Sequence, residues 1–64
     1  MAPIWVQIRT FVGVRLEKGG PNYFRVRVMS PLLEYHTYYF DNRGSAFGAF
    51  DRIRDRLEFL RRQP

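Results

Sequence analysis

The sequence predicts an α+β fold, a three-stranded antiparallel sheet packed against one C-terminal α-helix. Three observations predict it. Apolar and polar residues alternate as far as residue 40, the period of half-buried strands. From about residue 46 apolar residues recur every three or four positions, the period of an amphipathic helix. Short Gly-, Pro- and Ser-containing stretches separate the strand segments, so hairpins join them and the sheet is antiparallel. With 64 residues, positions 1–64 form a single β-β-β-α domain.

The first strand spans Ile4 to Leu16. Ile4, Val6, Ile8, Thr10, Val12, Val14 and Leu16 share one face, and Trp5, Gln7, Arg9, Phe11, Gly13 and Arg15 share the other. Gly13 either divides this segment into two pieces or marks a bulge. "EKGGPN" (17–22) reads as the turn that follows. Tyr23 to Met29 is the second strand, with Phe24, Val26 and Val28 on one side and Tyr23, Arg25, Arg27 and Met29 on the other. "SPL" (30–32) is the next turn. Leu33 to Phe40 is the third strand, placing Leu33, Tyr35, Thr37 and Tyr39 toward the core and Glu34, His36 and Tyr38 outward.

Ala46, Ala49, Phe50, Ile53, Leu57 and Leu60 make the apolar stripe of the helix. Asp41, Asn42 or Ser45 can cap its start, and Gly44 favours Ser45. Asp51–Arg54, Arg54–Glu58 and Glu58–Arg62 have the spacing of helix ion pairs. Arg61 and Arg62 suit the negative end of the helix dipole. The expected core contains Val26, Val28, Phe50, Ile53 and Leu57.

One helix covers only one sheet face. The other is expected to stay bare and to carry Trp5, Arg9, Phe11, Arg15, Tyr23, Arg25, Arg27, His36 and Tyr38. The formal charge of +5 favours nucleic acid or an acidic protein surface as partner. Lys18 is the only lysine, and arginine differs from lysine in forking onto phosphate and stacking on rings. A GC-rich genome would also enrich arginine. No cysteine is present, which excludes disulfides and thiolate metal sites. No stretch approaches the roughly 20 apolar residues of a membrane span, and no secretory signal opens the sequence. The expected compartment is the cytoplasm, or the nucleus in a eukaryote.

"FDNRGSAFGAFDRI" (40–53) resembles the strand-to-helix segment of the plant ethylene-response-factor DNA-binding domain. Phe40, Asp41, Ala46, Ala49, Phe50, Asp51 and Arg52 stand at that family's spacing. "FVGVR" (11–15) is similar to its opening Tyr-Arg-Gly-Val-Arg. The arm-binding domains of tyrosine recombinases share the order of three strands and a helix. The likeness covers about residues 11 to 57. It implies a sheet lying in the DNA major groove, with Arg15, Arg25 and Arg27, and also Tyr23 and His36, toward the DNA.

The residues support a nucleic-acid reading without the resemblance. A ribbon of two or three strands fits a major groove about 12 Å wide. Arginines at alternate positions of a strand stand about 7 Å apart, near the phosphate spacing. Aromatics between them can stack on bases. The candidate binding residues are Arg9, Arg15, Tyr23, Arg25, Arg27, His36 and Tyr38. Alternating arginine on a wet face also serves solubility and guards against edge pairing. The helix arginines, interleaved with Asp51, Asp55 and Glu58, read as a solvated face.

A second function class uses the same face on a protein. Arg, Tyr and Trp are favoured interface anchors, and a phage-encoded inhibitor or adaptor, such as an anti-CRISPR protein, would fit the size. A regulatory role, or an origin in a phage or mobile element, suits either class. Enzyme chemistry is not expected. Glu34 and His36 could make an acid–base pair, but His36 is the only histidine, and neither a phosphate loop nor a metal-ligand cluster stands in the sequence. No cofactor is expected. The segment Ile4 to Thr10, apolar on one side, is expected to recruit a second copy into a homodimer.

Overall fold

A computed structural model describes residues 2–63. Its elements are β1 (Val6–Phe11), β2 (Val14–Gly20), β3 (Tyr23–Val28), β4 (His36–Phe40) and α1 (Arg43–Arg61). The strands form one antiparallel sheet in the order β1-β2-β3-β4. The class is α+β with a C-terminal helix, but the sheet has four strands, not three.

The extra strand comes from Gly13. Phe11 pairs with Val14, so the chain reverses over Val12 and Gly13. Gly13 has φ of 96°, a value that side-chain-bearing residues resist. A Cβ there would also sit 2.8 Å from the Ser30 Cβ. The expected long strand is therefore a hairpin. Its other glycine-rich stretch behaves oppositely. Glu17 to Gly20 continue β2 instead of turning, and only Pro21 and Asn22 form the turn.

The core lies between one sheet face and α1. Val14, Leu16, Phe24, Val26 and Val28 from the sheet meet Ala46, Ala49, Phe50 and Leu57 from the helix. Ile53 packs against this cluster half-buried. The helix lies over β2, β3 and β4. β1 is accordingly the more exposed edge, with Val6 57 % exposed.

The start of α1 falls earlier than Ser45. Asn42 is the cap, and its Oδ1 accepts a hydrogen bond from the Ser45 N–H at 3.0 Å. Ser45 supplies a donor that needs capping, rather than the cap itself. At the other end the Arg61 guanidinium donates to the Val12 carbonyl at 3.1 Å, tying the helix terminus to the β1–β2 turn. The Asp51–Arg54 and Glu58–Arg62 pairs form at 3.1 and 2.7 Å. Arg54 turns to Asp55 at 3.1 Å in place of Glu58. No helix among the described residues is long and apolar enough to cross a membrane.

Candidate functional site

Pairing decides which side chains share the uncovered face, because directly opposed residues of an antiparallel pair project to the same side. One row runs Thr10, Arg15, Arg27, Thr37 across the four strands. The next runs Gln7, Glu17, Arg25, Tyr39. At the end of the face Trp5 packs on Tyr23 and Tyr39, with ring centroids 5.1 and 6.2 Å away. Tyr23 and Tyr39 stack on each other at 6.2 Å.

Gly19 seats this aromatic cluster. A Cβ on it would lie 2.8 Å from the Trp5 ring, so only glycine lets the indole approach the β2 backbone. The Arg25 guanidinium then lies over the Trp5 ring at 4.0 Å and donates to Glu17 at 2.6 Å. Glu17 is only 6 % exposed. Its charge is thus held by Arg25, with the Arg27 guanidinium a further 3.8 Å contact. Stacking and pairing fix Arg25 as the link between the aromatic cluster and the arginine row.

Arg15 and Arg27 stand directly opposite each other on β2 and β3. Like charges so placed repel. Of these two arginines, only Arg27 is approached by Glu17 among the described residues. Among the described residues, the Arg15 Nε is buried and has no hydrogen-bond partner. The face therefore presents three guanidiniums against one carboxylate, with its unmatched charge concentrated in the Arg15–Arg27 row.

Trp5, Arg15, Tyr23, Arg25 and Arg27 lie on the bare face as the sequence reading expects. Arg9, Phe11, His36 and Tyr38 do not. The hairpin at Gly13 puts Arg9 opposite Leu16 and Phe11 opposite Val14, on the helix side. There the Arg9 guanidinium stacks on Phe47 at 4.7 Å and stands 3.8 Å from Asp51. A register shift between Gln7 and Arg9 restores Gln7 to the bare side. On β4 the expected faces are inverted. His36 and Tyr38 oppose the core residues Val28 and Val26, whereas Thr37 and Tyr39 face the bare side. His36 and Tyr38 nevertheless remain exposed, because β4 is an edge that the helix does not fully cover.

Sequence reasoning missed Glu17, Thr37 and Tyr39. Glu17 was hidden by a glycine-rich stretch that reads as a turn. The alternation of Val14, Arg15, Leu16 and Glu17 is the available signal. Tyr39 was assigned to the core because tyrosines occupy both parities of β4. Among the described residues no group of His, Asp and Glu is arranged to hold a metal ion. No protein-family model, curated protein or solved structure matches the chain.

Proposed function

We propose that the uncovered sheet face binds nucleic acid, with DNA the favoured form, through the Arg15–Arg27 row. The observation that carries this reading is the direct opposition of those two arginines. A fold of 64 residues has little stability to give away, and opposed like charges reduce it. A phosphate chain passing over the row would lie against both guanidiniums and remove the repulsion. Thr10 and Thr37 extend the row with hydroxyl donors. Trp5, Tyr23 and Tyr39 supply ring faces beside it, on which exposed bases can stack. The resemblance of residues 11 to 57 to sheet-reading DNA-binding domains supports the same face, since β2, β3, β4 and α1 keep that order.

The test is a fluorescence titration with labelled single-stranded and duplex DNA at several salt concentrations. Arg15→Ala and Arg27→Ala should each weaken binding to all sequences and lower the salt slope by about 1. Unchanged affinity in both variants would sink the reading.

A protein partner is the second reading, and the aromatic cluster favours it. A tryptophan, two tyrosines and a stacked arginine are the chemistry of interface anchors. In that case Tyr39→Ala should cost more affinity than Arg15→Ala, with a shallow salt dependence.

A further inference from the structure

The two edges of the sheet differ. β1 is interrupted by the register shift between Gln7 and Arg9, a device that opposes pairing with another chain. β4 pairs with β3 without any shift. Its sequence, HTYYF, has no proline, lysine or other charged residue to discourage a further strand. The outer backbone groups of β4 are thus a regular, unblocked hydrogen-bonding row.

Beside this row lies a groove of about 320 Å³, lined by Tyr38, Phe40, Ala49, Arg52 and Ile53. It runs between the edge strand and α1. Its floor is apolar, and one charged residue stands at its side. Arg52 makes no ion pair among the described residues. The nearby helix arginine Arg56, one turn on, stacks on Phe59 at 5.6 Å and also lacks a carboxylate. The acidic residues nearest to β4 in sequence, Glu34 and Asp41, flank its ends instead of occupying it. The helix acids Asp51 and Asp55 are engaged by Arg54.

We infer that the β4 edge and the adjoining groove dock an extended acidic peptide segment of another protein, added as a fifth strand. Backbone hydrogen bonds to β4 would give the affinity. Every second side chain of the added strand would point toward the helix side, where an apolar one fills the groove over Ala49 and Ile53. A carboxylate two residues along, on the same side of the added strand, would meet Arg52, which makes no ion pair among the described residues. Charge complementarity selects this occupant over a second copy, since each copy carries +5 and would bring its own positive field to Arg52 and Arg56. This site lies on the helix side of the sheet and is independent of the Arg15–Arg27 row.

The experiment titrates the isotopically labelled full chain with the blocked hexapeptide Ac-VTETVT-NH2, whose valines and glutamate share one face of an extended strand, followed by amide chemical shifts. Ac-VTKTVT-NH2 and an acidic peptide N-methylated at alternate amides serve as controls. The expected result is shift changes confined to β4 and to the α1 residues around Ala49, Arg52 and Ile53, with slowed amide exchange along β4. The basic and N-methylated peptides should bind at least tenfold more weakly. Arg52→Glu, at an exposed site that leaves the core intact, should remove at least tenfold of the acidic peptide's affinity and favour the basic one. Equal binding of the acidic and basic peptides would overturn the inference. So would shift changes centred on Arg15 and Arg27, or concentration-dependent shifts at β4 without peptide, which would make a second copy the occupant.

Discussion

Glycine has two separate duties in this chain, and a single methyl group tests each. At Gly13 the backbone conformation itself demands glycine, whereas at Gly19 the neighbour demands it. Gly19→Ala should push the Trp5 ring off β2, because the added Cβ would otherwise stand 2.8 Å from it. Trp5 is the only tryptophan, so its emission reports the change directly. A red shift with nearly unchanged far-ultraviolet circular dichroism is the expected outcome. An unchanged emission maximum would show that the indole is not seated on Gly19. The neighbouring carboxylate gives a second residue-scale prediction. Glu17→Ala leaves Arg25 without its 2.6 Å acceptor in a partly buried site. Urea denaturation should show a loss of about 1–3 kcal/mol. The duty of Gly13 is legible in part, since a glycine inside an alternating segment marks a break or a bulge, and the strand does divide there; that of Gly19 is not, because "EKGGPN" has the composition of a turn and nothing in the sequence announces a ring lying above a glycine.

At the scale of elements, what was legible followed from period and what was not followed from phase. The change of period near residue 41 placed the helix, and alternation placed Val26 and Val28 in the core, where both are buried. The faces of β1 and β4 depended instead on where the chain turns. A two-residue hairpin at Val12 and Gly13 shifts the phase once, and the register shift before Arg9 shifts it again. Counting through Gly13 as one strand therefore assigned Arg9 and Phe11 to the wrong side. On β4 tyrosines at both phases removed the hydrophobic contrast that sets register. The helix start is a local matter and can be tested locally. Asn42→Ala removes the acceptor for the Ser45 N–H and should cost about 1 kcal/mol by denaturant titration. Ser45→Ala should cost much less, since its backbone, not its hydroxyl, is capped. The homodimer through Ile4 to Thr10 is also an element-scale proposal. Ile4, Val6 and Ile8 are exposed on the β1 edge, but the register shift between Gln7 and Arg9 interrupts its backbone row, so such a contact would rest on these side chains and not on strand pairing. Light scattering at about 100 μM should give a dimer mass, and Val6→Lys should return it to a monomer. A monomer mass for the unaltered chain at that concentration would exclude the pairing.

The whole molecule sets binding against stability. Its charge of +5 is carried by a chain of 64 residues, and such an excess repels itself. Much of the arginine is nonetheless accounted for within the fold. Arg25 pairs with Glu17, Arg9 and Arg43 flank the Phe47 ring at 4.7 and 4.4 Å, and Arg61 holds the β1–β2 turn. Arg15 and Arg27 are different, because the fold opposes them and gives Arg15 no partner among the described residues. If that row exists for a polyanion, removing its charge should help the free protein while harming the bound one. Arg15→Ser with Arg27→Ser should therefore raise the free chain's stability at low salt, by a few tenths of a kcal/mol to about 1 kcal/mol. Raising the salt from about 20 mM to about 200 mM screens the repulsion, so the unaltered chain should gain more in Tm than the double variant. Affinity for DNA should fall in the same variant. A double variant that is less stable than the parent at low salt would mean that the arginines hold the sheet together through their aliphatic stems, and the unmatched charge would then no longer count as evidence for a ligand.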